Sequence, residues 1–330
     1  MKGLKKIALV TAIAAAPFAA NAELQAMNDM AMGNVTGQAG VTIELETQVS
    51  IGQFKYTDTN AGGANEIGGG SFTVNNIDLG GAGLITGATP IFDADGDGTP
   101  DLAATQLLDD LSIDIDIAAD GDAVISVHTI SGLPIDFGLT ADSMMLEGTD
   151  STTLVSGLKA WGMLAKLDIR VDTEDAATNL GGTGDGSLNI DTAFTVNSME
   201  FDVPFLALGI KGMSITGAGA NFDYDGDGLS LAGGDNDEVI SPNLSVAPGD
   251  LGSLSKEQKV ALGFASVNLD VYKGSSFGAS PAATDALRIN INDIVMDVNV
   301  DQVLIGGTNI GTVALDNLHV QNTRLAVYGH

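Results

Sequence analysis

The hydrophobic positions of this chain alternate with polar ones. Val41, Ile43, Leu45, Val49 and Ile51 are interleaved with Thr42, Glu44, Glu46, Gln48 and Ser50. A period of two predicts a half-buried strand, with one side chain up and the next down. The pattern returns at Leu111, Ile113, Ile115 and Ile117, whose partners are Ser112, Asp114 and Asp116. It recurs at Trp161, Met163, Ala165, Leu167, Ile169 and Val171, and at Leu287, Ile289 and Ile291. The apolar faces are expected to bury Ile43, Leu45, Ile113, Ile115, Leu167, Ile169, Ile289 and Ile291, and Trp161 is expected in the core.

No comparable amphipathic helix separates these strands, which argues against a βαβ parallel sheet. The exception is a weak helical stretch from Ser255 to Gly263, with Ser255 as its cap. The expected class is all-β: an elongated, mostly antiparallel β-sandwich or irregular β-solenoid with one short N-terminal helix. That helix is predicted over Glu23 to Met32, where Leu24, Met27, Met30 and Ala31 fall at helical spacing and Gly33 stands at the C-terminal cap.

The chain also echoes itself. Phe54-Lys55-Tyr56 is followed by Phe72-Thr73-Val74-Asn75, Leu167-Asp168-Ile169-Arg170 by Leu188-Asn189-Ile190-Asp191, and Leu269-Asp270-Val271-Tyr272 by Leu287-Arg288-Ile289-Asn290. Each case is a strand, a connection rich in small polar residues and a second strand, which suggests a repeated hairpin-like module. Surface excursions are expected at 60–70, 88–101, 173–186, 223–237 and 273–284. A soft boundary near 155 divides the β-rich chain into 41–155 and 156–330, two regions or one continuous domain.

The first residues carry a different message. Lys2, Lys5 and Lys6 precede an apolar run from Ile7 to Ala16, and Ala20-Asn21-Ala22 offers small residues before Glu23. This is the three-part pattern of a signal peptide over residues 1–22, and its apolar run is too short to span a bilayer. Residues 23–40 then form an N-terminal helix and Gly-rich segment. The protein is expected outside the inner membrane: in the periplasm, at the outer-membrane surface or beyond. No later apolar run is long enough for a membrane helix.

Charge narrows the partners. The chain holds 13 basic and 43 acidic residues, for a formal net charge of −30, and three of the lysines lie in the signal segment. Such a surface repels nucleic acid and anionic headgroups and attracts divalent cations. Disorder is not implied, because 44% of the residues are hydrophobic and they alternate. Cysteine is absent. An exported chain without disulfides must draw its stability from its core, from bound metal or from assembly.

The strongest chemical signal is Asp93-Ala94-Asp95-Gly96-Asp97-Gly98-Thr99-Pro100-Asp101. Alternate carboxylates at Asp93, Asp95 and Asp97 aim at one centre, glycine allows the turn, the Thr99 carbonyl faces inward and Asp101 binds directly or through water. That is the oxygen-rich geometry of a calcium loop, and it looks like the Asp-rich calcium repeats of extracellular proteins. Position 12 is Ala104, so a bidentate ligand must come from elsewhere, such as Asp109 or Asp110. Asp223, Asp225 and Asp227 repeat the first half of the pattern and form a weaker second candidate, completed by Asp235 and Asp237 if the loop folds back. Clustered carboxylates repel one another unless a cation neutralises them, so calcium is the expected cofactor.

Catalytic signatures are poor. His128, His319 and His330 are scattered without zinc-ligand spacing, and 212–217 does not match the nucleophile elbow. No nucleophile–base pair can be assembled, and aromatic residues for a sugar-stacking cleft are scarce. The chain is therefore read as non-enzymatic. Its last residue is histidine rather than an aromatic, and aromatic girdles are missing, which counts against an outer-membrane barrel.

Glu23-Leu24-Gln25-Ala26-Met27-Asn28-Asp29, running into Val35-Thr36-Gly37-Gln38-Ala39-Gly40-Val41-Thr42-Ile43, resembles the N-terminus of FilA-type pilus-system proteins. These are exported proteins of Gram-negative bacteria. The ending Tyr328-Gly329-His330 is compatible with that group. The resemblance covers about the first fifty residues and implies a surface or pilus-associated role, with envelope or pilus-system proteins or further copies of the chain as partners. Two other classes stand beside it: an outer-membrane or lipid-handling β protein, and a secreted calcium-dependent polysaccharide hydrolase or lyase. The expected mode of assembly is strand addition at an exposed sheet edge.

Overall fold

A computed structural model describes residues 40–59, 68–88, 92, 102–173, 182–218, 256–278 and 285–328. The expected signal segment, 1–22, and the expected helix, 23–32, lie outside the described residues. Residues 40–330 form one compact unit.

The fold is all-β and mostly antiparallel, and the twelve strands among the described residues belong to one sheet. In chain order they are β1 (Val41–Thr47), β2 (Val49–Thr57), β3 (Ser71–Gly80), β4 (Leu108–Ile117), β5 (Ala123–Thr129) and β6 (Ile135–Glu147), then β7 (Ser151–Asp172), β8 (Gly182–Val203), β9 (Leu208–Thr216), β10 (Ala265–Gly274), β11 (Ala286–Ile305) and β12 (Thr308–Val327). A short helix, α1 (Lys256–Ala261), lies in the stretch read as weakly helical. The strand β7 runs unbroken through the position of the soft boundary near 155.

The pairings resolve into an up-and-down meander of two tiers. The lower tier follows the order β1-β4-β5-β7-β8-β10-β11-β12. In the upper tier, β2 pairs with β3, β3 with β6, β6 with β7, β8 with β9, and β9 with β11. The long strands β7, β8, β11 and β12 serve both tiers. At the 22 residues of β7, a strand extends for about 70 Å at the usual rise. The three sequence echoes are all hairpin pairs: Phe54 pairs with Val74, Ile169 with Ile190, and Val271 with Ile289.

Register carries the alternation across the whole sheet. One lower-tier row runs Val41, Ile115, Ile125, Ile169, Ile190, Leu269, Ile291 and Thr323, each residue directly beside the next. The neighbouring row runs Thr42, Asp114, Ser126, Asp168, Asp191, Asn268, Asp293 and Gln321. Because side chains alternate between faces, one face of the lower tier is apolar and the other polar. An upper-tier row of Val49, Leu79, Leu139, Ala160, Met199, Met213, Val300 and Val313 is likewise apolar.

The core gathers around Phe92, which follows β3, and Phe264, which directly precedes β10. Phe92 and Phe264 pack with ring centroids 5.9 Å apart, against Met163, Ala165 and Ala193. Ala193 shares the face of Asp191, two residues away, so this core sits on the polar side. The insertion after β3 takes the same side. A Cβ at Gly138 would stand 2.5 Å from the Gly81 carbonyl oxygen, so the close approach requires glycine there. Leu139 points the other way.

The apolar face is consequently left open, which corrects the expected burial. Ile43 and Leu45 are exposed, and Ile113, Ile115, Leu167, Ile169, Ile289 and Ile291 are only half-buried. Trp161 is also half-buried rather than enclosed. In β11 the order is inverted outright: Arg288 and Asn290 are buried, while Leu287 is 49% exposed. The polar side holds the inserted core, so the isoleucines touch mainly their neighbours within the sheet.

Candidate functional site

Strands β1 and β2 on one side and β12 on the other are the edges of this sheet. In the described pairings β1 bonds only to β4, β2 only to β3, and β12 only to β11. Every residue of β2 is exposed, as are six of the seven in β1. Nearly all of β12 is exposed too, including Ile310, Val313, Leu315, Leu325 and Val327. Half of the backbone N–H and C=O groups along an edge strand have no ladder partner, which makes such an edge a template for a further strand. Neither edge contains proline and each carries few charges, while register shifts interrupt the ladder that β12 makes with β11.

The apolar face adjoins both edges. Val41, Ile43, Leu45, Val49 and Ile51 are exposed on the first, and the residues of β12 named above on the second. A continuous apolar surface of this extent is the mark of a contact surface on a folded protein.

On the opposite face, side chains satisfy one another. Lys166 donates to Asp191 at 2.8 Å and lies 2.9 Å from Asp168. Burial works against its charge, but hydrogen bonds to the two carboxylates prevail and hold the ammonium above its ordinary range. Asn189 donates to Asp270 at 2.7 Å, and Asn292 to Asn268 and Asp270 at 2.8 and 2.9 Å. His319 lies 2.6 Å from Asp293. Arg288 stacks 4.1 Å from the Phe277 ring centroid and donates to the Ser275 carbonyl at 2.7 Å. Buried polar groups of this kind are tolerated because each has partners. The network ties the lower-tier strands together rather than presenting a free reactive group.

At the seam between tiers, buried Asp136 accepts from the backbone N–H of Ala82 at 2.7 Å and of Thr105 at 3.3 Å. Burial raises its pKa, and the two N–H donors partly oppose that shift. Its role is to tether the insertion.

The calcium candidates Asp93, Asp95, Asp97, Thr99 and Asp101, and Asp223, Asp225 and Asp227, lie outside the described residues. Among the described residues no group of three metal-ligating side chains comes together. Sequence reasoning expected an exposed sheet edge without saying which strands form it, and it expected the apolar face to be buried. The alternation of Ile with Asp over 113–116 gives a strand with two unlike faces, but it carries no sign of which face the rest of the chain will cover.

No helix among the described residues is long and apolar enough to cross a membrane. Comparison with curated proteins and with solved structures found no match. Residues 1–119 are similar to a family of unknown function, DUF6160, a stretch that runs through the first edge strand and ends just beyond β4.

Proposed function

We propose that this is an exported, non-enzymatic envelope protein, surface- or pilus-associated, that assembles through the open edges of its sheet. The observation that carries the reading is the pair of long, exposed edge strands, β1–β2 and β12. Strand addition at such an edge gains main-chain hydrogen bonds along its whole length. The export-like N-terminus, the resemblance to FilA-type pilus-system proteins and the absence of cysteine support it. Calcium at Asp93–Asp101, with a second site at Asp223–Asp227, is the proposed stabilising cofactor. The test is recovery of a tagged, full-length protein from the cell envelope with its bound partners. Co-purification with envelope or pilus components is expected; a free secreted monomer that degrades polysaccharide would refute it.

A second reading, contact with lipid, is favoured by one observation: the apolar row that crosses the lower tier from Val41 in β1 to Ile291 in β11. Hydrocarbon is the alternative cover for such a face. Flotation of the purified protein with neutral liposomes, and insolubility without detergent, would support this reading over the first.

A further inference from the structure

The open edge β12 and the open edge β1–β2 are complementary to each other, and we infer that the partner at each is a second copy of this chain, joined head to tail. The inference rests on the assembly reading above and names its partner.

Strand direction supplies the first argument. The meander alternates up and down, so the first position, β1–β2, and the last, β12, run in opposite directions. Two copies placed side by side in the same orientation therefore bring β12 of one antiparallel to β1–β2 of the next, the geometry in which every backbone group can pair.

Face continuity supplies the second. The row that begins at Val41 ends at Thr323, the row that begins at Thr42 ends at Gln321, and the upper row that begins at Val49 ends at Val313. A level junction sets Thr42 beside Gln321 on the polar face and Val49 beside Val313 on the apolar face. The rows then continue across the seam without placing a charge on the apolar side.

Charge supplies the third. On the polar face β1 presents Glu44 and Glu46 and no cation, while the lower half of β12 presents Arg324 and no free acid. Arg324 shares its row with Asn290, Asp270 and Asp116, hence the face of Asp114 and Thr42. Pairing β1 with a second β1 would set its glutamates against one another, whereas joining unlike edges keeps like charges apart, which favours this pairing over the like-edge one. Such a contact is heterologous, so it propagates as an open array unless the rotation between copies closes it into a ring.

The lack of cysteine makes the test clean. Full-length Thr42→Cys and Gln321→Cys variants, both at exposed edges, are treated singly, mixed and combined in one chain with a short bifunctional maleimide. Mixing the single variants should yield a cross-linked dimer that neither gives alone, and the double variant should yield a ladder of dimers, trimers and larger species. A cross-link within the monomer would mean that the sheet closes on itself, and would overturn the inference. So would a dimer from Gln321→Cys alone, which signals like edges pairing, or no cross-link in protein whose circular dichroism is unchanged. Envelope recovery of the wild-type protein is independent of these outcomes, so failure here leaves the assembly reading to be judged by its own experiment.

Discussion

His128 Nε2 lies 2.7 Å from a carboxylate oxygen of Asp114 on the neighbouring strand, and its Nδ1 faces the Thr129 carbonyl oxygen at 3.1 Å. Both ring nitrogens meet acceptors, so only the imidazolium, with two N–H groups, satisfies both. The hydrogen bond to Asp114 accordingly raises the histidine above its ordinary 6.5. The Thr42 hydroxyl, which donates at 2.6 Å, and then His128 lower the Asp114 carboxyl below its ordinary 3.8.

The pH dependence follows from these directions. The raised histidine stabilises the fold fully below its ordinary pKa and loses that contribution as pH rises through the folded value. The lowered carboxyl contributes above its ordinary pKa and loses that as pH falls through the folded value. The pair therefore contributes most between about pH 4 and 6.5. Melting temperatures of wild type and His128→Asn should differ most near the middle of this window and converge above neutrality. A difference independent of pH would count against the imidazolium.

Asp136 gives a stability test at the seam. Asp136→Ala leaves the buried Ala82 and the part-buried Thr105 N–H groups without their acceptor and should cost about 2–3 kcal/mol, read as a lowered urea midpoint. Asp136→Asn keeps one acceptor oxygen and should cost less.

Ile115 and Ile135 contrast a half-buried isoleucine with a fully enclosed one. Ile135 is 1% exposed, and Ile135→Ala should cost about 2–5 kcal/mol. Ile115 is half-buried on the open face, so Ile115→Asp loses its contacts with Val41 and Ile125 and should cost only about 1 kcal/mol. If that face contacts lipid, the same variant should abolish liposome flotation while far-UV circular dichroism persists.

The calcium proposal is settled by calorimetry on the full-length protein. Calcium should bind and raise the melting temperature, as any ligand of the folded state does. Asp95→Ala should remove most of the heat. No uptake at millimolar calcium would eliminate the site.

Much of the sheet was legible in the alternation. The strands around Val41, Ile115, Ile169 and Ile289 stand where period two placed them, and the echoed pairs are hairpins. Burial was less legible, because alternation assigns Ile115 and Asp114 to opposite faces without saying which face the chain covers. The covering segments, around Phe92 and Phe264, come from insertions whose landing place no local pattern encodes. The edges were harder still. Whether a strand such as β12 has one neighbour or two depends on the order of the whole sheet, and its residues look like those of any interior strand.

The order of neighbours bears on how the chain reaches this state. Within each tier the strands follow one another in chain order, although pairings such as Thr42 with Asp114 and Asn75 with Ser143 join residues 72 and 68 apart, so each such closure carries an entropic cost that grows only slowly with length. A chain that enters a compartment with its N-terminus leading can extend such a sheet position by position, since β3 and β4 find β2 and β1 already delivered. Between β9 and β10, as between β3 and β4, a long connection intervenes, and the insertion that carries α1 precedes the next strand. Synthesis or translocation arrested just before that insertion should leave an ordered partial sheet that ends at β9, with its growing edge still open.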